Sequence, residues 1–342
     1  MSLQKEGSAP MVRGARLAAE ELNAQGGIAG HRLQLLERDD YADDDSAVRS
    51  ATDLYASKAV AVVGNAYSGL TLVTAPIFNG GAHPLAQVSP SASNPAITDA
   101  GPYTFRVCAT DLSYGAALAR WVHDSLGLIR GAVIYVNDAY GRGVRRAFAD
   151  EFMRIGGQRL EIDPFLIDAP DATAYLQRIV KEKRAQFIML AGNLAEGSRV
   201  LQQVRDAHLT LPVLASDGFD GIQDQGTIAE GLFISTGYLV GTVSPANQRF
   251  VAAYRRRYPG AGLPDQGAAA SYDAVYLVAS AIARAGNDRR RVRDALSEIG
   301  TGAPAFDGVV GRLAFDANGD VPDVPVRIGM VHAGELVPAR AH

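Results

Sequence analysis

Ala59-Val60-Ala61-Val62-Val63, followed at once by Gly64-Asn65-Ala66-Tyr67-Ser68-Gly69, is the stretch on which the fold turns. Five apolar residues without alternation read as a strand covered on both faces, the pattern of a parallel sheet. The glycine and asparagine supply a turn, and Ser68 falls where a helix should start. Working outward, the same grammar recurs. Further strands are expected at residues 84–88, 105–108, 132–136, 159–163, 187–191, 212–215, 231–236 and 326–331. Upstream, residues 11–25 place Met11, Ala15, Ala18, Ala19 and Leu22 on one helical face and stop at Gly26-Gly27, where glycine suits a C-cap. Residues 33–39 read as a strand, and residues 43–57 as a helix opened by three aspartates that suit its macrodipole. Three helical patterns then follow one another at 245–257, 267–285 and 288–299. Strands alternating with helices define an α/β chain, with enough elements for two doubly wound sheets.

Size supports two domains, since 342 residues exceed what one hydrophobic core usually serves. No Gly/Pro/Ser-rich joint interrupts the pattern near the middle, so the two lobes are expected to be joined by several crossings. Thirty-three basic and 37 acidic residues leave a net charge of -4, which gives no footprint for nucleic acid. No apolar run approaches the roughly 20 residues needed to span a bilayer. Cys108 is the single cysteine, so no intrachain disulfide exists; it reads as a buried strand residue. Met1-Ser2-Leu3 reads as a cloning remnant, and neither a basic nor an apolar leader follows it. A signal peptide that has been removed and one that never existed both fit.

Enzyme motifs are missing. There is no phosphate-binding G-x-x-x-x-G-K-[ST] and no G-x-S-x-G elbow, and Gly141-Arg142-Gly143-Val144-Arg145-Arg146 lacks the third glycine of a dinucleotide fingerprint. Six scattered histidines show no i,i+3 or i,i+4 pair, and no zinc set forms. The expectation is a protein with no catalytic residue, metal or cofactor.

What remains is polar loops at the carboxyl ends of strands, where open α/β sheets bind ligands. Taken alone, Ser68 reads as an N-cap; functionally, its hydroxyl and the N–H groups after it would receive a carboxylate. Ser89-Pro90-Ser91-Ala92-Ser93-Asn94-Pro95 is held extended by its prolines. It is either a simple turn or a site where the Ser93 hydroxyl and the Ser91 carbonyl meet a carboxylate and an ammonium. Asn137-Asp138-Ala139-Tyr140-Gly141 and Ser216-Asp217-Gly218-Phe219 add an aromatic and an acid. Tyr140 also fits ordinary packing, and Asp217 an Asx turn. Together, hydroxyls, an acid and an aromatic are what a zwitterionic amino acid requires. A carboxylate about 4 Å from an ammonium contributes roughly 4 kcal/mol at an effective dielectric near 20, before desolvation.

At these loops the sequence resembles the bacterial leucine/isoleucine/valine-binding proteins, the solute-binding subunits of branched-chain amino acid ABC transporters with the type I periplasmic binding fold. The likeness spans nearly the whole chain. It rests on residues 18–28, Val63-Gly64 with Ser68, residues 89–95, Phe105-Arg106 with Asp111, Tyr140-Gly141, Asp217-Gly218 and Tyr272-Asp273-Ala274-Val275-Tyr276. It implies two Rossmann-like lobes joined by three crossovers, residues 1–111 plus 243–315 and 112–242 plus 316–342, which close like a hinge on a ligand. It assigns carboxylate binding to Ser68. The carbonyl and hydroxyl that hold the α-amino and α-carboxylate groups fall on Ser91 and Ser93, with Ala92 between them. The ammonium ligand falls on Asp217 and the aromatic walls on Tyr140 and Tyr272. Tyr67 and Tyr114 are further candidates, each with an equally good packing role.

Three departures stand out. Ser93 replaces the family's threonine, Asp217 is one methylene shorter than the usual glutamate, and Gly192-Asn193-Leu194-Ala195-Glu196 lacks a tyrosine common in relatives. Family members also begin with an apolar strand, whereas residues 4–10 are polar, which points to a late start of the chain or a lobe without that strand. The expectation is a monomeric periplasmic protein that captures a small, aliphatic amino acid and delivers it to an inner-membrane permease. The alternative is a cytosolic amide or amino-acid sensor acting through a protein partner.

Overall fold

The computed structural model describes residues 8–340. In chain order its first elements are α1 (Ala9–Ala24), α2 (Asp44–Ala56), β1 (Ala61–Val63), α3 (Ser68–Asn79), β2 (Ala86–Ser89) and β3 (Thr104–Arg106). Next come α4 (Asp111–Arg120), β4 (Arg130–Val136), α5 (Ala139–Arg154), β5 (Arg159–Phe165) and α6 (Thr173–Glu182). They lead to β6 (Ile188–Ala191), α7 (Leu194–Asp206), β7 (Val213–Ala215) and β8 (Phe233–Thr236). The chain finishes with α8 (Pro245–Arg257), α9 (Gln266–Ala285), α10 (Arg289–Ser297), β9 (Phe306–Asp307), β10 (Arg312–Leu313), β11 (Arg327–His332) and β12 (Glu335–Pro338).

Two compact units result, one containing the chain up to Thr110 with Thr242–Pro325, the other Asp111–Gly241 and the chain from Val326 on. The chain therefore passes between them three times. Residues 316–325 fall in the first unit and not in the second, where the sequence reading put them. The cause is local: Phe315 stacks edge-on against Phe105 at 5.1 Å, and Asp320 pairs with the buried Arg106.

In the first unit β1, β2 and β3 form a parallel sheet in that order, and β9 and β10 a small antiparallel pair. Helices pack closely through small residues. A Cβ on Gly14 would lie 2.0 Å from the Ala268 carbonyl oxygen, so glycine is what lets α1 press its alanine face against α9. Helix starts follow the sequence: the side chains of Asp43, Asp265 and Asp288 accept the N–H groups of Ser46, Ala268 and Arg291.

The expected strand at 33–39 is absent. Apart from a bridge between Ile28 and His31, nothing in this region joins a ladder. A cavity of about 910 Å³ lies against this stretch, with Leu33, Leu35, Ala61, Val62 and Val63 among its lining residues. Among the described residues β1 pairs with β2 alone, so residues 33–39 have no ladder partner there. α1 and α9 close this cavity with Ala15 and Val275. Of the polar stretch 4–10, residues 4–7 lie outside the described residues.

The second unit holds a seven-stranded sheet in the order β12-β11-β8-β7-β6-β4-β5. Its β8-β7-β6-β4-β5 portion is parallel, whereas β11 runs antiparallel to β8, and β12 antiparallel to β11. The doubly wound expectation therefore holds for the centre of the sheet and not for this edge. β4, β6 and β7 are buried on both faces. Phe148, Phe152 and Phe187 fill one side, while Leu176, Val200, Leu201 and Val204 fill the other.

Candidate functional site

In the first unit the serine loop grows out of β2 and is fixed by hydrogen bonds that its own sequence supplies. Ser89 donates to the Asn65 carbonyl at 2.8 Å and accepts the Ala92 N–H at 3.0 Å. Ser91 donates its hydroxyl to the Ala66 carbonyl at 2.6 Å. Asn94 caps the following 3-10 turn by accepting the Ala96 N–H at 2.9 Å. Its own N–H donates to the Ser68 hydroxyl at 3.3 Å. Ser68 is the first residue of α3; the cap position belongs to Tyr67, whose backbone is extended there. The Ser68 hydroxyl thus joins two loops instead of capping a helix, while the N–H groups of the first turn of α3 have no acceptor within the helix.

Ser93 is different. Fully buried, its hydroxyl has no hydrogen-bond partner among the described residues. An unpaired buried hydroxyl costs free energy unless something arrives to bond it. Ser68, Ser91, Ala92 and Ser93 are therefore brought together on one loop network, with Tyr67 beside it. Tyr272 sits elsewhere in this unit. Its ring lies 4.8 Å from Phe250 and 4.9 Å from Tyr276, and its hydroxyl donates to Glu21 at 2.5 Å. Burial first, and the neighbouring Glu21, raise the Tyr272 pKa.

In the second unit Tyr140 and Asp217 come together at the carboxyl ends of β4 and β7. Asp138 starts α5 by accepting the Gly141 N–H at 2.7 Å, which sets Tyr140 in the helix's first turn. The Tyr140 hydroxyl donates to Asp217 Oδ1 at 2.7 Å, lies 2.8 Å from Ser216 Oγ, and accepts the Gly218 N–H at 2.7 Å. Glycine at 218 is required, because a Cβ there would lie 2.8 Å from the tyrosine oxygen and 2.4 Å from the Gly192 carbonyl. Asp217 is only 6% exposed. Burial pushes its pKa up to about 7, a rise that the Tyr140 hydrogen bond opposes. Tyr140 is in turn raised well above its ordinary value by burial and by the charges of Asp217 and Asp111. Tyr114 is fully buried on α4.

Sequence reading missed Ser216 and Glu196. The serine was visible as the residue before Asp217, but its bond to Tyr140 spans 76 positions. The loop flagged for its missing tyrosine is a helix start, in which the Glu196 carboxylate accepts the Asn193 N–H at 2.8 Å; Asn-x-x-Glu was the available signal. Asp138, a half-buried acid in this unit, has its pKa raised by burial first and also by Glu196. The 910 Å³ cavity touches none of the expected ligand residues. Among the described residues no group of three or more His, Cys, Asp or Glu forms a metal cluster, and no helix is long and apolar enough to cross a membrane.

The first unit thus gathers hydroxyls on one strand-end loop, and the second holds a buried acid on another. The chain belongs to the periplasmic binding protein family, whose model matches residues 2–335. Its fold is the type I periplasmic binding fold. A leucine-binding protein of Thermotoga maritima is 26% identical and superposes with a TM-score of 0.88 over 98% of this chain and 93% of that one. The branched-chain amino acid transporter substrate-binding protein of Streptococcus pneumoniae, solved with isoleucine, is 27% identical, with a TM-score of 0.87 over 96% and 93%. The Leu/Ile/Val-binding protein homolog 1 of Brucella suis is 26% identical over 93% of this chain and 84% of its own length.

Proposed function

We propose that this protein is the extracytoplasmic substrate-binding component of a branched-chain amino acid ABC transporter, taking a small aliphatic amino acid and passing it to a membrane permease. The observation that carries this reading is the buried Ser93 hydroxyl, without a partner among the described residues, on the loop tied to the Ser68 hydroxyl at the start of α3. These are donors set for a carboxylate, and they sit on a loop already locked in place. For the ammonium of an amino acid this reading assigns Asp217. With its pKa raised to about 7 by burial, that acid ionises readily when an ammonium arrives; the Tyr140 hydroxyl holds its Oδ1, and Ser216 and the Gly218 N–H hold the Tyr140 hydroxyl.

The relatives named above support the substrate class. In this reading the protein acts in the periplasm as a monomer and performs no turnover. Tyr67, Ser91 and Ala92 shape the carboxylate end of the site. Tyr272 acts through the aromatic stack behind it. A thermal-shift panel of the twenty amino acids together with amides, sugars and aromatic acids, followed by calorimetry of the hits, tests the proposal. Leucine, isoleucine or valine should raise the melting temperature in a concentration-dependent way by mass action. A panel in which only amides, sugars or aromatic acids shift the protein would reject it.

A further inference from the structure

The serine loop has a support that its own sequence does not contain. Arg106, at the end of β3, is a large charged side chain with no solvent exposure. Its Nε donates to Asp320 Oδ1 at 2.5 Å and its Nη2 to the Thr98 hydroxyl at 2.5 Å. Nη1 reaches two carbonyls of the loop, Asn94 at 2.9 Å and Ala92 at 3.4 Å. Thr98 closes the ring by donating to Asp320 Oδ2 at 2.7 Å. Asp320 is delivered by a tight turn in which Asp316 accepts the N–H groups of Asn318 and Asp320, at 2.9 and 3.0 Å. The turn is tied back when the Arg106 N–H donates to the Gly319 carbonyl at 3.0 Å. Gly319 has φ near +79°, and a Cβ there would lie 2.5 Å from the Thr104 carbonyl, so the approach needs glycine.

The consequence concerns Ser93. The peptide before it is held through the Ala92 carbonyl by Arg106, and the peptide after it through the Asn94 N–H by Ser68. With both flanking peptide planes anchored, the Ser93 Cα–Cβ direction is fixed although its hydroxyl has no partner among the described residues. A guanidinium suits this task because its planar fork serves several acceptors at once, which an ammonium on a flexible stem does not.

We propose that Arg106, with Asp320 and Thr98, is the positioning device of the serine loop: it aims the Ser93 hydroxyl and thereby sets amino-acid affinity without touching the ligand. This rests on the function proposed above. It also separates positioning from a simple field effect. If Arg106 acted through its charge, Asp320→Asn would unmask that charge and tighten carboxylate binding, whereas loss of the clamp weakens it.

The test uses the full chain. Leucine titration calorimetry compares the wild type with Arg106→Lys, Asp320→Asn and the charge-free pair Arg106→Met/Asp320→Leu, which leaves no buried ion unpaired. Ser93→Ala is added in the wild-type and in the charge-free backgrounds. The pair variant should bind leucine at least tenfold more weakly, with Arg106→Lys and Asp320→Asn in between. Ser93→Ala should cost several-fold in the wild type and less than twofold in the pair variant, because a misaimed hydroxyl has little left to lose. Equal penalties in the two backgrounds, wild-type affinity in the pair variant, or tighter binding by Asp320→Asn would each overturn the proposal.

Hydrogen exchange of the Ala92, Ser93 and Asn94 amides in the ligand-free protein is an independent readout, made on Arg106→Lys should the pair fail to fold. Exchange should speed up at these three amides before the sheet opens, and unchanged protection would overturn the clamp. If the wild type ignored leucine while the exchange result held, the functional reading would fall and the clamp would stand as architecture alone.

Discussion

Two buried polar groups, Asp217 in the second unit and Ser93 in the first, are held in opposite ways. In the second, the Tyr140 hydroxyl bonds Ser216, Asp217 and the Gly218 N–H, all within 2.8 Å. In the first, Ser93 is as deeply buried and has no partner among the described residues, although the loop around it is held at several points. Their hydrophobic cores differ too. The second unit is filled by interlocking phenylalanines, whereas the first relies on alanine faces and borders a 910 Å³ cavity. The contrast teaches that a donor can be held ready by fixing its backbone, because a hydroxyl left unpaired costs only about 1–3 kcal/mol. A buried carboxylate left charged and unpaired costs more, so it is held with hydrogen bonds and an upshifted pKa until a cation arrives.

The largest effect should come from the packing difference. Phe187 lies 5.4 Å from Phe152 and 5.9 Å from Phe148, under Gly131, so Phe187→Ala should destabilise the second unit by about 3–5 kcal/mol in denaturant unfolding. Val275→Ala, beside the cavity of the first unit, should cost only about 1 kcal/mol. Equal losses would break the comparison.

Next is the acid. Asp217→Ala should weaken leucine binding about a hundredfold or more in calorimetry, the loss of a charge-assisted bond in a buried setting. Unchanged affinity would remove Asp217 from the ammonium role.

The pH dependence sharpens the same half. Asp217 rises from 3.8 to about 7 on burial, so its protonated form is favoured in the folded chain. Its contribution to stability is present below pH 3.8 and lost as pH rises through about 7. Ligand binding runs the other way, because an ammonium needs the ionised form. Leucine affinity should therefore fall roughly thirtyfold from pH 8 to pH 5.5, and Asp217→Asn should flatten that profile. A flat wild-type profile would show that this acid does not pair with the ligand.

The smallest effect concerns Ser93. Ser93→Ala should cost five- to tenfold in affinity, about 1 kcal/mol, while leaving the melting temperature of the free protein unchanged or slightly raised. A drop in melting temperature would mean that the hydroxyl serves the fold and not a ligand.

Much of the architecture was legible because it depends on local chemistry. The helix at 245–257 is bounded by Ser244, which accepts the Asn247 N–H, and by three arginines in its last turn. Residues 33–39 misled because strand character needs a neighbour, and Leu33 and Leu35 face a cavity. β12 went unread because Glu335-Leu336-Val337-Pro338 offers only two core-forming residues after the Ala333-Gly334 turn. The serine loop and Asp217 were legible as polar punctuation after apolar runs. Arg106 was quoted only as part of a fragment, since its partner Asp320 lies 214 positions away and nothing local shows what the guanidinium holds.

The most direct test is a calorimetric comparison, with the wild-type protein, of leucine, its decarboxylated amine and its deaminated acid. Loss of either charged group should weaken binding at least a hundredfold, because the proposed function assigns the carboxylate to the serine-loop hydroxyls and the ammonium to Asp217. Comparable affinity for leucine and either analogue would contradict recognition of both ends of an amino acid.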